Sequence, residues 1–324
     1  MANYKNIHGV NIETVSSNPD NPANGQVWYN STDQKLRANA QTTAGAWASG
    51  GNLNTGGIFG TSNGFGTEST GGVAGRLQEA GGSPGQKANT ELYNGTSWTE
   101  SGDLNTARNA AAVGGTYTSA LHAGGHGNIT AITESWNGSS WTEVSDLNQA
   151  RGYFTGSIES NSAGIAYGGI TPATSAGVAI TESWNGSSWT EVSDLNNARR
   201  SNSGAGTSTN AVAMGGYTTT SVSFTEIWDG SSWTEVADNP SAGGGSAFGV
   251  YNNALWSQGQ TTALWNGTAW SSTTSSSSPT SNRAGLGTVA SGLKTGGEPP
   301  NAGVTATEEW AGAGANDIKE FDLS

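Results

Sequence analysis

The sequence contains no cysteine, and only 11% of its 324 residues are charged. Without cysteine the chain can form neither disulfide bonds nor thiolate metal sites, although this does not identify its compartment. No apolar run approaches the roughly 18 residues that cross a bilayer, and MANYKNIHGV at the start lacks a signal peptide's apolar stretch. We therefore expect no membrane insertion and, for action outside a cell, an exit route other than ordinary secretion.

Basic residues are also scarce. Twelve Lys and Arg stand against 25 Asp and Glu, which gives a formal net charge of -13. Binding to phosphates needs clustered Lys and Arg, whereas these residues are scattered singly, so we expect no nucleic-acid partner. The acidity is better explained as a means of keeping the protein soluble and unassociated.

Glycine and tryptophan are abundant, with 50 and 13 residues. Low charge alone could indicate disorder, but disordered chains are poor in aromatic residues. Each Trp can bury about 150–250 Å², so their number indicates a packed protein. The length would accommodate two average domains or one large all-β domain.

One segment recurs along the chain, and its clearest copy reads TESWNGSSWTEVSDLNQAR. Near-identical copies begin at Thr90, Thr133 and Thr181, and looser copies follow at Thr225, Trp265 and Trp310. Two aromatic residues stand five positions apart in Tyr93/Trp98, Trp136/Trp141, Trp184/Trp189, Trp228/Trp233 and Trp265/Trp270. Asn-Gly or Asp-Gly and two small residues separate them, which predicts a tight β-hairpin.

A short apolar segment that ends in two glycines precedes each hairpin. The pairs are Gly81-Gly82, Gly124-Gly125, Gly168-Gly169, Gly215-Gly216 and Gly296-Gly297, with Gly259-Gln260 in the remaining copy. One further strand precedes each of them, so every unit has four short strands over about 37 to 51 residues. This period and strand count predict the blade of a β-propeller.

The units also resemble the kelch repeat. The match in one unit consists of Arg108, Gly124-Gly125, Glu134, Trp136 and Trp141. The resemblance extends over about residues 45 to 312, and some units lack the Arg or the second Gly. It implies a propeller with small side chains on the crowded strands near the axis and Trp between the blades.

Two aromatic residues lack a partner in this pattern, Trp47 near the start and Trp310 near the end. Both are explained if Trp47 lies on the outer strand of the blade whose other strands end at Trp310, which hides two sheet edges. We therefore predict an all-β, six-bladed kelch-like β-propeller at 44–312, an N-terminal extension at 1–43 and a C-terminal tail at 313–324.

The N-terminal extension includes PANGQVWYNSTDQKLR, which predicts a hairpin with its own Trp28-Tyr29. This stretch resembles the opening of structural proteins of tailed phages, especially marine ones. Together with the kelch-like units it implies a bacteriophage virion protein, assembled in the host cytoplasm and present in several copies per particle. The resemblance also implies that the extension binds other virion proteins.

Few residues suggest metal or redox chemistry. Kelch propellers include a copper oxidase, but copper needs imidazole and phenolate ligands in an open geometry, and only His8, His122 and His126 are present. His122 and His126 flank one Gly-Gly, where a pair could face the channel, yet we interpret them as ordinary residues of a variant blade. We predict no catalytic residue, no cofactor and no metal, and therefore no enzyme.

Sialidases are another six-bladed family, and WDGSSW resembles their Asp box. That box has one residue between Asp and Gly, whereas Asp229 and Gly230 are adjacent. A sialidase also gathers arginines around the substrate carboxylate. The arginines here mostly occupy the Arg position of the repeat and should spread around the ring.

Acidic residues recur in pairs, such as Glu134 with Glu143 and Glu182 with Glu191. Two carboxylates can carry out acid–base hydrolysis, but a catalytic pair should occur once. Their repetition predicts a role in blade packing with the repeat Arg, or solvated positions on outer strands.

Loops that differ between units are the candidate binding surface, because rigid scaffolds commonly present function on variable loops. They are 127–131, 171–177, 218–223 and 271–281. Our leading hypothesis is a non-enzymatic tail or capsid appendage that uses the propeller for interaction or host adsorption. The alternative is a lectin-like module for host surface glycans, which predicts exposed aromatic residues such as Trp256; a hydrolase or oxidase is the third hypothesis.

Overall fold

In a computed structural model of the chain, the described residues are 12–19, 26–41, 45–60, 64–78, 85–298, 304–312 and 316–321. None of them lies in an α-helix. Among them there is accordingly no helix of the length and apolarity needed to cross a bilayer.

Strands and turns make up the described residues. The strands are β1 (Glu13–Val15), β2 (Val27–Asn30), β3 (Lys35–Gln41), β4 (Ala46–Ser49), β5 (Phe65–Gly66), β6 (Gly71–Gln78), β7 (Gly85–Tyr93), β8 (Trp98–Glu100), β9 (Ala112–Thr116), β10 (Ser119–Gly125), β11 (Thr130–Trp136), β12 (Trp141–Val144), β13 (Thr155–Ser160), β14 (Ala163–Tyr167), β15 (Thr181–Trp184), β16 (Trp189–Glu191), β17 (Ser203–Gly206), β18 (Ala211–Tyr217), β19 (Ser221–Trp228), β20 (Trp233–Glu235), β21 (Ser246–Val250), β22 (Asn253–Gln258), β23 (Thr261–Trp265), β24 (Trp270–Ser272), β25 (Ala284–Gly287), β26 (Ser291–Thr295), β27 (Thr307–Ala311) and β28 (Asn316–Phe321).

Ala46–Ala311 form one compact unit, which we call the propeller unit. Its strands make four-stranded antiparallel sheets in the order β5–β8, β9–β12, β13–β16, β17–β20, β21–β24, and β25–β27 with β4. The first strands of these sheets contact one another in a closed cycle: β5, β9, β13, β17, β21, β25 and back to β5. This is the arrangement of a β-propeller, in which each sheet is a blade and its first strand lies nearest the axis.

The blade that contains β4 joins both ends of the propeller unit. β4 pairs with β27 and brings Trp47 opposite Trp310, as the sequence predicted. The two rings lie 5.3 Å apart between centroids. The Trp47 indole donates a hydrogen bond to Thr262 Oγ1 in the neighbouring blade at 3.2 Å.

The repeated aromatic pairs face each other across the outer hairpins, as Trp136 and Trp141 do at a centroid distance of 5.2 Å. The turn between them is closed by Asn137, whose Oδ1 accepts the backbone N–H groups of Ser139 and Ser140 at 3.0 Å. The second Trp joins adjacent blades, because the Trp141 indole donates to Thr90 Oγ1 of the preceding blade at 2.9 Å. Trp189 and Trp233 repeat this bond with Thr133 and Thr181.

The described glycine pairs form a bend at or just beyond the end of the second strand of their blade. Gly124 and Gly125 have φ of 62° and 131°, in the region that favours glycine. The pair predicted for the first blade, Gly81-Gly82, lies outside the described residues. The bend of that blade is formed instead by Gly75, at φ 65°, and by Arg76.

Met1–Gly45 and Gly312–Ser324 form a second compact unit, the terminal unit. The predicted hairpin is present as β2 and β3, and Trp28 in it is fully buried. The sequence predicted a separate tail at 313–324, whereas Asn316–Phe321 pairs antiparallel along β3. Both ends of the chain thus build one sheet, in the order β1-β2-β3-β28. NDIKEF has no repeat partner, and it pairs with a strand far away in sequence, so local pattern gave no sign of this strand.

Candidate functional site

The charged residues of the repeats include a set of arginines and glutamates that is buried inside the blades. Five blades each contain one Arg–Glu ion pair: Arg76–Glu91, Arg108–Glu134, Arg151–Glu182, Arg199–Glu226 and Arg283–Glu308. Every side chain in these pairs is at most 5% exposed. These five arginines are distributed around the ring, as the sequence predicted. Each forms its ion pair with a carboxylate of its own blade.

The loop that enters a blade holds the same carboxylate. Glu134 accepts hydrogen bonds from the backbone N–H and the side-chain amide of Asn105, both at 2.7 Å. That amide also donates to the Trp141 carbonyl oxygen at 3.1 Å. Glu143, opposite Glu134 on the outer strand, is exposed. Of the two repeated carboxylates, one therefore packs the blade with Arg and the other is solvated.

Burial lowers the pKa of Arg108, Arg151 and Arg283, and the paired carboxylates oppose this effect. For Arg151 the pKa falls to about 10 because burial outweighs the attraction of Glu182. The guanidinium stays charged at neutral pH, so the pair is ionic inside the blade.

The two described histidines have different surroundings. His122 is fully buried, edge-on to Trp141, and burial followed by the charge of Arg108 lowers its pKa well below the ordinary value. His126 packs against Tyr153 at 4.5 Å between ring centroids. In the part of the chain that the structure describes, no three His, Cys, Asp or Glu side chains cluster as metal ligands would. His8 lies outside it.

A pocket of about 450 Å³ lies where the connections between blades approach the axis. Just before the first strand of a blade, the chain forms an isolated bridge to the end of the second strand. The bridges are Ile58–Leu77, Asn109–His126, Gly152–Ile170, Arg200–Tyr217 and Ser281–Glu298. Residues of four of these bridges line the pocket, which we call the axial pocket.

Main-chain hydrogen bonds join the blades beside this pocket. The Tyr153 N–H donates to the Ala110 carbonyl oxygen at 2.9 Å, and the Ser201 N–H donates to the Tyr153 carbonyl oxygen at 2.7 Å. Tyr153 and Ser201 have φ of 55° and 53°. Such left-handed conformations are unfavourable for residues other than glycine and cluster at functional sites. Tyr153, Ser201 and Asn282 all line the pocket.

Arg200 gives the axial pocket a cation. Its guanidinium lies 4.8 Å from the centroid of the Tyr217 ring. Every other arginine has an ion pair, and Arg200 forms none with any described acidic residue. On the blade that contains β4, Glu298 accepts a hydrogen bond from Asn282 Nδ2 at 2.9 Å. The pocket therefore has a cationic and an anionic side.

Tyr153 lies in the field of both charged groups. Burial raises the pKa of Tyr153, Arg200 lowers it and Glu298 raises it further. Asn109 lines the same pocket and is 3% exposed, and its Oδ1 accepts no hydrogen bond from any residue that the structure describes. The arrangement can bind a small polar ligand through charge and hydrogen bonds.

The variable loops predicted from the sequence contribute little to this pocket. Ser221 comes from 218–223 and Ser281 from 271–281, and the other two loops contribute no lining residue. Trp256, the candidate for an exposed aromatic residue, is fully buried on β22. The sequence did contain a signal for Asn109 and Arg200, since the near-identical copies diverge immediately after the repeat Arg.

No protein-family model matches the chain, and no curated protein matches it in sequence. Among solved structures it is similar to that of YjhT, with a TM-score of 0.62 over 83% of this chain and 99% of that chain. The sequence identity is 12%, so the likeness concerns the fold alone. It agrees with the all-β propeller described above.

Proposed function

We propose that this protein is a non-enzymatic interaction module, a six-bladed kelch-like propeller that serves as a structural or host-adsorption component of a tailed-phage particle. The count of six is supported by the six sheets of the propeller unit and the closed cycle of their first strands. The kelch-like assignment is supported by the Arg–Glu pair that recurs in five blades.

One observation carries the interaction role: bridge positions that are equivalent in the scaffold carry different side chains. Ile58, Asn109, Gly152, Arg200 and Ser281 stand at these positions in different blades. The repeated charged residues, by contrast, pack the blades in nearly the same way each time. A scaffold that stays constant while its axial face varies is suited to recognition rather than to a reaction.

The terminal unit is the part that we propose to bind other virion proteins. It combines both ends of the chain in one sheet, of which β1 is a three-residue edge strand. Edge strands offer unpaired backbone groups to another chain.

Mass spectrometry of purified particles, from the phage whose genome encodes the chain, tests the virion role. We expect several copies per particle, and gold-labelled antibodies to the propeller unit should mark the tail or the capsid. Detection in infected cells but not in particles would overturn the virion role. The purified protein should also slow adsorption of the phage to its host, and unchanged adsorption at saturating protein would exclude the host-adsorption role.

A lectin-like glycan-binding module is the second candidate, and the axial pocket favours it. Its amide, hydroxyl and charged side chains are the kind of polar groups that fix the orientation of a small ligand in a binding pocket. A glycan array with the folded protein distinguishes it from a purely structural component, which would bind none of the glycans.

A further inference from the structure

We infer that the axial pocket binds a small hydroxylated carboxylate, a sugar acid in which Arg200 holds the carboxylate and Glu298 and Asn109 accept hydrogen bonds from hydroxyl groups. The inference rests on the proposed function as an interaction module, because it names the class of ligand that the axial pocket of that module would bind.

Charge is the first argument. In a protein of net charge -13, six of the seven arginines have a carboxylate partner, and Arg200 has no described one. The Tyr217 ring covers one face of its guanidinium. Stacking leaves the N–H edges available, and these edges match a carboxylate in two parallel hydrogen bonds.

Hydrogen bonding is the second argument. Asn109 is almost completely buried at the pocket, yet its Oδ1 has no donor in the described part of the chain. A buried acceptor without a donor is unfavourable, so it points to a ligand that supplies one. Glu298 uses one oxygen for Asn282, and its carboxylate has further acceptor capacity. Both groups suit hydroxyl donors, and Glu298 would repel a second carboxylate.

The volume of the pocket and the contacts of its aromatic rings restrict the class of ligand further. The pocket volume of about 450 Å³ lies within the range of small-molecule sites. The ring of Tyr217 is covered by Arg200, and that of Tyr153 lies against His126. Recognition therefore depends on charge and hydrogen bonds, so a neutral sugar should bind weakly.

Calorimetric titration of the full chain tests the inference, with D-glucuronate and D-galacturonate as probes. D-Glucose and D-galactose are matched ligands without the carboxylate, and acetate is a carboxylate without hydroxyl groups. We expect the uronates to bind at least tenfold more tightly than either control class. Equal binding of uronates and neutral sugars, or no uronate binding at millimolar concentration, would overturn the inference.

Variants locate the site. Arg200→Gln should weaken uronate binding at least tenfold and Asn109→Ala about threefold, whereas Lys87→Gln, which removes a charge outside the pocket lining, should leave it within twofold. Unfolding curves check that each variant is folded. If Arg200→Gln is unstable, uronate binding by Asn109→Ala tests the site instead. Wild-type affinity of that variant for uronates would contradict the proposed site.

The two proposals can fail separately. Particles that contain the protein, together with a pocket that binds no uronate, would remove only the ligand assignment. Uronate binding by a protein absent from particles would remove only the virion role.

Discussion

The side chain of Arg76 fills the space directly above the Cα of Gly57, where a β-carbon would lie 2.6 Å from Arg76 Cδ. In the second blade the two residue types are exchanged, since Arg108 stands where Gly57 does and Gly125 where Arg76 does. A β-carbon on Gly125 would lie 3.3 Å from Arg108 Cδ. Both guanidinium groups nevertheless make equivalent bonds.

In each blade the two equivalent bonds are to one carboxylate and one carbonyl oxygen, and each guanidinium also donates to other carbonyl oxygens. Arg76 bonds to Glu91 and to the Thr55 carbonyl, and Arg108 bonds to Glu134 and to the Thr106 carbonyl. The blade thus requires a guanidinium at one place, and either of two backbone positions can supply it, provided that the other is glycine.

This exchange predicts the behaviour of a double variant. Arg76→Gly leaves Glu91 buried without its partner, and we expect the free energy of unfolding to fall by about 3–5 kcal/mol. Gly57→Arg in the same chain should recover most of that loss, because it recreates the arrangement of Arg108 and Gly125. Urea unfolding of the single and double variants measures the recovery. A double variant no more stable than Arg76→Gly would contradict the equivalence.

The fifth blade, β21–β24, has neither the Arg nor the Glu. Trp256 lies opposite Ala263, at the register where Ala213 lies opposite Glu226 in the fourth blade. Trp256 is fully buried, and its indole N–H has no hydrogen-bond partner among the described residues. One large ring therefore fills the volume that an ion pair occupies elsewhere.

We expect Trp256→Phe to cost about 1 kcal/mol less stability than Trp265→Phe, because it removes a buried donor without a partner. Trp265 is the matched control, since it is equally buried but donates to the Tyr251 carbonyl oxygen at 2.9 Å. Urea unfolding compares the two variants. An equal or larger loss for Trp256→Phe would indicate that its N–H is bonded in solution.

Lys294 predicts a pH dependence of stability. Its Nζ donates to Ser257 Oγ at 2.8 Å and to the Gly259 carbonyl oxygen at 3.2 Å, with Glu308 at 3.6 Å. Burial, followed by the charge of Arg283, lowers its pKa to about 7, while Glu308 opposes the shift. Between that value and the ordinary 10.5, the unfolded chain binds more protons than the folded one. Stability should therefore rise with pH above about 7.

Urea unfolding at pH 7 and pH 9 tests this prediction. We expect wild type to gain stability at the higher pH and Lys294→Met to lose that gain. Lys87→Met is the control, and its pH dependence should match wild type. A gain that persists in Lys294→Met would assign the effect to another group.

Trp47 lies on the strand that closes the propeller unit, so we expect a substitution that shortens its side chain to lower the stability of the protein strongly. Besides its contact with Trp310, its ring lies 4.7 Å from Lys294 Nζ. Trp47→Ala removes these contacts and the bond to Thr262, so we expect a loss of about 3 kcal/mol. Trp270→Ala, at the same repeat position in the fifth blade, removes one indole bond to Ala237 and should cost less. Thermal unfolding measures the loss of stability in both variants. A smaller loss for Trp47→Ala than for Trp270→Ala would argue against ring closure as a source of stability.

The repeated pattern by itself determined the hairpins, the four-strand unit and the meeting of Trp47 with Trp310. The hairpins and the four-strand unit follow from short-range signals, namely Asn-Gly turns, aromatic pairs at fixed spacing and glycine bends. The meeting of Trp47 with Trp310 follows from the repeat count, because these two residues alone lacked a partner in the pattern. The packing role of the repeated Glu was also among the predictions, because a residue that recurs in most units is expected to belong to the scaffold.

Only the tertiary structure decided which residues surround the axis. Asn109, Tyr153, Arg200 and Glu298 belong to different blades and meet because the first strands close into a cycle. The contact of Gly57 with Arg76 likewise brings together residues that no local pattern relates. The same is true of the pairing of Asn316–Phe321 with β3. Side-chain proximity across separate blades depends on how the chain closes in space, and residue spacing along one sequence contains no measure of that distance.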